Sequence, residues 1–315
     1  MPAEPSGPFR VVRDSKGAIT EPAGLTDWDL RSGRFRRLFH GVYVSSRTVL
    51  RPRLLARAAL LLAGEGAVVS HHDAARLWGG VVPEDPNTHV TCVGSRPQVR
   101  GIRAHRAKRG QRWAWHEGLP VMTPVTTFLD LAEVLDLVDL VVLGDSLIRA
   151  GRVTPQQLGD AARRHSGKGC RLARRAAGLV RDDVDSAMES RLRMLLVLAG
   201  LPEPTINHKI YWVDGRVRWR FDLSYPEFRL IIEYDGRQHR DSDDQWSIDI
   251  GRREWMDRND WRIVVVIAKG VYRTPAATLQ RVVDAMPDCG MVVPRLSDEW
   301  RRYFPSLSDD IAEPA

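Results

Sequence analysis

Val217-Arg218-Trp219-Arg220-Phe221-Asp222-Leu223 alternates strictly, with Val217, Trp219, Phe221 and Leu223 on one face and Arg218, Arg220 and Asp222 on the other. A period of two marks a half-buried strand. Pro226 to Arg229 then turns the chain, and Leu230-Ile231-Ile232-Glu233-Tyr234-Asp235 follows as an almost wholly apolar strand that ends in acid. If those four turn residues form the whole connection, Asp222 faces Glu233 across two antiparallel strands, with Cβ atoms about 5 Å apart. Like charges at that separation repel, and a divalent cation can bridge them. A register slip of two residues would separate them by about 7 Å more and remove the arrangement. An apolar strand gains no stability from terminal carboxylates, because burying them is costly unless they are paired or bound to a cation. That cost points to function, and oxygen-only ligands favour Mg2+ or Mn2+ over zinc.

Outward from these strands the sequence predicts a regular unit. Ser186 and Glu189 form a capping box for a helix with the apolar face Met188, Leu192, Leu195, Leu196 and Ala199, stopped by Gly200 and Pro202. A strand over 206–213 ends at Asp214-Gly215. A helix over 244–258 and a strand over 262–267 complete the order helix, strand, strand, strand, helix, strand. Glu233 and Asp235 share a strand face, and His239, beyond Gly236, is placed to return over them as a general base or phosphate contact. Arg252 and Arg253 stand at i, i+3 and i, i+4 from Asp249, adequate for an intrahelical pair and also for holding a phosphate. Simpler roles compete for the same residues. Glu189 serves equally as a cap worth about 1 kcal/mol, Asp222, on a strand that alternates with Arg218 and Arg220, as half of a surface cross-strand ion pair, and His239 as a solvated loop residue.

The charge is divided along the chain. The net +7 of the 315 residues combines 27 Lys+Arg against 16 Asp+Glu in residues 1–180 with 20 against 24 in residues 181–315. A basic first part suits an anionic partner such as DNA, and an acidic second part can gather carboxylates for a cation. Residues 1–50 offer one short helical signal at Leu25–Leu30, a basic turn at Arg31–Arg37 and a strand at Val42–Val44. This fits a reduced winged helix, with Arg34, Arg36 and Arg37 as candidate phosphate contacts. Residues 51–180 read as mostly helical, with helices over 52–64, 70–78, 126–137 and 139–150 and a capping box at Thr154 and Gln157 that opens another. Strands are expected over 88–105. Ser166-Gly167-Lys168-Gly169 reads as a hinge before a domain over 181–286 and a tail over 287–315.

His71 and His72 open a predicted helix with no third ligand at metal spacing, so they read as ordinary histidines. Cys92, Cys170 and Cys289 are scattered and fit neither a disulfide framework nor a zinc motif. No apolar run approaches the roughly 18 residues that span a bilayer. The first twenty residues carry Pro2, Pro5 and Pro8 and no apolar segment, so a cytoplasmic, membrane-free protein is expected.

Glu189, Asp222, Glu233-Tyr234-Asp235-Gly236 with His239, and Asp249 with Arg252 and Arg253 before Trp261-Arg262-Ile263-Val264 fall in an order that resembles a known family. That family is the very-short-patch-repair (Vsr-like) branch of the PD-(D/E)XK restriction-endonuclease superfamily, and the resemblance covers about residues 183–285. It implies an α/β fold with a restriction-endonuclease-like αβββαβ core. In it Asp222 and Glu233 hold Mg2+ or Mn2+, Glu189, Asp235 and His239 assist, and Arg252 or Arg253 lies near the phosphate. The superfamily's E-x-K lysine is Asp235 here. Vsr-like relatives also lack that lysine and use histidine and acids instead; Lys209 and Lys269 are other sources of a cation.

Residues 9–165 resemble AbiEi-type antitoxin and transcriptional-regulator proteins. The resemblance runs through Arg34 to Val44, Ser70 to Gly79, Leu119 to Pro124 and Asp130-Leu131-Ala132. It implies DNA as a partner and a protein partner from a toxin-antitoxin or defence system. The leading expectation is a metal-dependent DNA endonuclease. The alternative is a non-catalytic DNA-binding regulator or type IV antitoxin-like protein that retains a nuclease-like fold.

Overall fold

The computed structural model describes residues 7–13, 19–21, 25–236 and 243–305. The chain is mixed α/β and divides into two compact units, Met1–Leu135 with Ala150–Gly178, and Asp136–Arg149 with Leu179–Ala315. Its first part runs β1 (Phe9–Arg10), β2 (Val12–Arg13), β3 (Ile19–Glu21), α1 (Asp27–Arg31), β4 (Phe35–Phe39), β5 (Val42–Ser45), α2 (Pro52–Ala63), β6 (Val68–Val69), α3 (His71–Leu77), β7 (Thr88–Cys92), β8 (Ile102–Arg106), β9 (Trp113–His116), β10 (Leu119–Met122) and α4 (Pro124–Leu131). Then come α5 (Leu137–Arg149), α6 (Pro155–Arg164) and α7 (Cys170–Leu179).

The first unit differs from the sequence expectation in several places. Arg31–Arg37 is not a basic turn. Its second half is strand β4, because Phe35 and Phe39 bury while Arg36 and Arg37 stay exposed. Residues 1–50 do not form a domain of their own, since Phe39 and Val42 share a core with Ala58 and Ala59 of α2 and with Val90 and Ile102. The described residues before β4 contain one helix, α1, of five residues. The 126–137 helix is shorter and earlier than expected. Thr123 caps α4 by accepting the Thr126 N–H, and α5 starts afresh where Asp136 Oδ1 accepts the Asp139 N–H. The capping box at Thr154 and Gln157 has both of its hydrogen bonds. Gly169 lies in a tight packed turn rather than a loose hinge. It has φ +78, and a Cβ there would collide with the Ala132 carbonyl oxygen. A five-stranded sheet ordered β8-β7-β6-β10-β9 carries the middle of the unit, with β7 buried along its whole length.

The second unit contains α5, then α8 (Ala187–Leu198), β11 (Thr205–Tyr211), β12 (Val217–Tyr225), β13 (Leu230–Tyr234), α9 (Asp243–Arg258), β14 (Arg262–Val266), α10 (Ala268–Tyr272) and α11 (Pro275–Asp288). Its sheet is ordered β11-β12-β13-β14; the first two pairings are antiparallel and the last parallel. From α8 to β14 the elements follow the order helix, strand, strand, strand, helix, strand. Phe221, Ile231 and Met256 form a core with Trp219, Trp255, Trp261 and Ile263 packed against it.

Helix α8 is buried nearly all round, which its sequence conceals because one buried residue is Arg193, 0% exposed. The guanidinium donates to Asp145 Oδ2 of α5 at 3.0 Å, to Glu203 Oε1 at 2.8 Å and to the Leu179 carbonyl at 2.8 Å. Asp145 also accepts from Ser190 Oγ and the Arg181 N–H, at 2.8 and 2.7 Å. This buried ion pair holds α5 to the second unit, so the unit boundary cuts around α5 rather than falling once near residue 180. The segment after α11 is packed rather than a tail. Trp300 and Phe304 are buried, and the Ser297 N–H donates to the Ala199 carbonyl at 2.9 Å.

Candidate functional site

The turn between β12 and β13 is the four-residue connection expected. Its Pro226–Phe228 forms a 3-10 turn and Arg229 adopts φ 51. The register pairs Tyr225 with Leu230, Ser224 with Ile231 and Leu223 with Ile232. At the next position the Asp222 side chain takes over, and its Oδ2 accepts the Tyr234 N–H at 3.0 Å. Asp222 thus sits where two strands give way from backbone pairing to side-chain chemistry.

Burial pushes the Asp222 carboxyl up to about 6, and the charge of Glu233 adds to the rise against the pull of the Tyr234 N–H, Arg252 and Arg220. Glu189, at the first turn of α8, is also raised, first by burial and then by the charge of Asp222. Three acids from one helix and two neighbouring strands therefore share one electrostatic site. Glu189 is fixed from both ends. Its N–H donates to Ser186 Oγ at 3.1 Å, and its carboxylate accepts the Asp185 N–H at 3.0 Å. The second bond goes to the residue before the cap rather than to the cap itself, so the expected capping box closes one residue early.

Arg252 of α9 is the cation within this acid group. Its guanidinium donates to Glu233 Oε1 and to the Arg220 carbonyl, and its Cζ lies 4.9 Å from the centroid of the Phe221 ring. Its Nε is buried without a hydrogen-bond partner. Arg220 in turn pairs with Asp185 at 2.5 Å. Arg253 is exposed, as are Lys209 and Lys269. Asp235 is half-buried just past β13, with its N–H on the Val266 carbonyl at 2.8 Å. His239 and the side chain of Asp249 lie outside the described residues.

No three of these acids bring ligand atoms within 4.8 Å of one another; among the described residues two other groups do, His71, His89 and His105, and His72, Asp85 and His89. His71 and His72 therefore do have third ligands at metal spacing, contrary to the sequence reading. His89 and His105 arrive on the paired strands β7 and β8, and Asp85 from the loop just before β7.

In the first unit Arg34 pairs with Asp29 at 3.1 Å, Arg36 donates to the Thr48 carbonyl at 2.8 Å and Arg37 is exposed. The sequence reading did not single out a cleft of about 980 Å³ whose lining includes Lys108, Arg109, Arg112, Arg152, Arg164 and Lys168. At its wall Asp130 accepts both hydrogen bonds of Gln111 Nε2, at 2.8 Å each, and burial pushes its carboxyl up to about 6. Its cations come from separate elements and loops, so no single basic run announces it.

No protein-family model matches the chain. It is 27% identical over 261 residues to "Uncharacterized protein Rv2248" of Mycobacterium tuberculosis (strain ATCC 25618 / H37Rv), covering 81% of this chain and 94% of that one. "Uncharacterized protein MT2308" of strain CDC 1551 / Oshkosh matches to the same extent. Among solved structures, that of the RV2827C protein from Mycobacterium tuberculosis aligns with a TM-score of 0.35 and 14% identity, covering 58% of this chain and 75% of that one. No helix among the described residues is long and apolar enough to cross a membrane.

Proposed function

We propose that the second unit is a restriction-endonuclease-like, Vsr-like phosphodiesterase that cuts DNA with Mg2+ or Mn2+, and that the basic first unit contacts the DNA backbone. The observation that carries this reading is the gathering of Glu189, Asp222 and Glu233 from α8, β12 and β13 around the Tyr234 N–H and Arg252, where burial first and the charge of Glu233 second raise the Asp222 carboxyl to about 6. Buried acids held together at such a cost are arranged for a cation.

The donor set fits a hard divalent ion, since Asp222 and Glu233 offer oxygen only. When bound, such an ion supplies charge neutralisation at the phosphate and an acidified water. The chain's own residues do the rest. Glu189 adds a third carboxylate from α8 within the field of Asp222, the Tyr234 N–H fixes the orientation of the Asp222 carboxylate, and Arg252 is placed to exchange Glu233 for a phosphate oxygen. Arg253, exposed one residue on, extends the same positive edge. DNA is the expected substrate, and the basic cleft with Arg37 supplies sequence-independent phosphate contacts.

The Arg252 to Glu233 ion pair, together with Asp235 in place of the E-x-K lysine, favours a second reading. In it Arg252 permanently neutralises the site, and the protein is a non-catalytic DNA-binding regulator or type IV antitoxin-like protein with a protein partner. Nicking of supercoiled plasmid with Mg2+ or Mn2+ separates the two. Cleavage by the wild type that is lost in Asp222→Ala and Glu233→Ala supports the enzyme. Tight DNA binding with no cleavage by any of the three supports the regulator.

A further inference from the structure

His71, His89 and His105 come from the start of α3, the buried β7 and its parallel neighbour β8. One ligand nitrogen of each lies within 4.8 Å of those of the other two. His89 Nδ1 is 3.1 Å from His105 Nε2, close to the roughly 3.3 Å between two ligand nitrogens of a tetrahedral ion bound at about 2.0 Å. The His71 Nδ1 faces Ser70 Oγ at 3.0 Å, leaving Nε2 for an ion, and its ring, stacked on that of His105 with centroids 3.6 Å apart, must turn about its Cβ–Cγ bond to aim Nε2 at an ion shared with His105. This contact also explains why Ser70, at the cap position of α3, makes no side-chain cap hydrogen bond.

The support around His89, only 1% exposed, is built for one orientation. Its N–H donates to Asp73 Oδ2 at 2.7 Å and its carbonyl accepts the Ser70 N–H at 3.1 Å. On the far side of its ring, Nε2 lies 3.3 Å from Asp85 Oδ2, at ion-pair distance but out of line for a hydrogen bond. Asp85 is itself held at Oδ1 by the Asn87 N–H and Nδ2, at 2.8 and 2.9 Å. A carboxylate behind one ring nitrogen fixes the proton there and leaves the lone pair on the other, the arrangement that orients metal-ligating histidines. A proton drawn to Nε2 by the Asp85 charge would leave the lone pair on Nδ1, the atom that faces His105.

Burial and neighbouring charges push His71 down to about 2 and His89 and His105 down to about 4, so all three are neutral at physiological pH, the form that ligates metals. His71 also holds φ 50, an uncommon conformation for a non-glycine residue. Lys108 and Arg103 oppose added positive charge here, and Asp85 offsets them at His89.

We infer that His71, His89 and His105 bind one divalent transition-metal ion of the zinc class, with Asp85 orienting His89 from outside the ligand set. Imidazole donors select Zn2+ and its neighbours over Mg2+, so this site is chemically distinct from the carboxylates of the second unit. The ion clasps the start of α3 to two adjacent strands, a structural role that suits its burial. The grouping of His72, Asp85 and His89 shares His89 and competes for it. Three imidazoles make the more zinc-selective donor set, which favours the first grouping, and His72→Ala distinguishes the two.

The test uses the full chain, stripped with a chelator and titrated with Zn2+ by calorimetry and with Co2+ by visible absorption. One saturable equivalent per chain, tetrahedral-type Co2+ bands and a raised unfolding temperature are expected. His71→Ala and His105→Ala should abolish the Co2+ bands, Asp85→Asn should weaken Zn2+ binding roughly ten- to a hundredfold, and His208→Ala should change nothing. Circular dichroism confirms that each variant is folded, and the half-buried His105 also takes Gln as a second substitution. Absence of saturable binding in the wild type, or binding that survives loss of His105, overturns the site. Loss with His72→Ala but not with His105→Ala overturns the ligand assignment.

Discussion

Replacing Asp222 with Asn should stabilise the protein, and only above mildly acidic pH. The Asp222 carboxyl stands at about 6 against an ordinary 3.8, a rise of about two units. At about 1.4 kcal/mol per unit, ionised Asp222 destabilises the fold by about 3 kcal/mol. The sign follows from the direction of the shift. Below pH 3.8 the carboxyl is protonated in both folded and unfolded chains and costs nothing. Between pH 3.8 and 6 the unfolded chain releases its proton first, and the penalty grows to its full value above 6. An asparagine side chain keeps the acceptor for the Tyr234 N–H and carries no charge toward Glu233 or Glu189. The attraction to Arg252 and Arg220 that it loses is already contained in the net shift. Chemical denaturation at about pH 4 and about pH 8 should show little difference between wild type and variant at the first and about 3 kcal/mol in favour of the Asp222→Asn variant at the second. A variant less stable at the higher pH, or one with the same difference at both, would refute the claim that this carboxylate is held against its own solvation.

Asp145→Ala removes the partner of a fully buried guanidinium and should cost about 3–5 kcal/mol, read as a fall in the unfolding midpoint. Gly169→Ala forces a Cβ against the Ala132 carbonyl at φ +78 and should cost about 1–3 kcal/mol in the same assay. Thr154→Ala opens a complete capping box and should cost about 1 kcal/mol. Arg252→Met takes the attracting cation from the acid group, so the Asp222 carboxyl should rise further above 6 in a carboxyl NMR titration; an unchanged value would show that Arg252 does not stabilise the charge.

The β12 to β13 hairpin was legible because alternation, a turn of fixed length and an apolar run all constrain one register. The place of Asp222 beside Glu233 followed from it. Arg252 was legible as a helix residue near the acids, but its pairing with Glu233 depends on how α9 docks. The buried Arg193 and Asp145 were hidden because charged residues rarely lie in a core unless paired, and their pairing joins segments 48 residues apart. The same reason moved α5 into the second unit. The histidine cluster was missed because its members carry no metal-motif spacing and meet only through the parallel pairing of β7 with β8 and the docking of the start of α3 on β7. In β4 the basic residues masked a strand whose two phenylalanines do the burying.

The most direct test of the nuclease reading is metal-dependent cleavage of a labelled DNA duplex by wild type, Asp222→Asn and Glu233→Gln, under conditions where all three are folded. Because Asp222→Asn should be the more stable protein at neutral pH, its loss of activity cannot be ascribed to unfolding. Cutting by the wild type with Mg2+ or Mn2+ and none by either variant is the expected result. Equal cutting by wild type and Asp222→Asn, or none by the wild type with saturating metal, would contradict it.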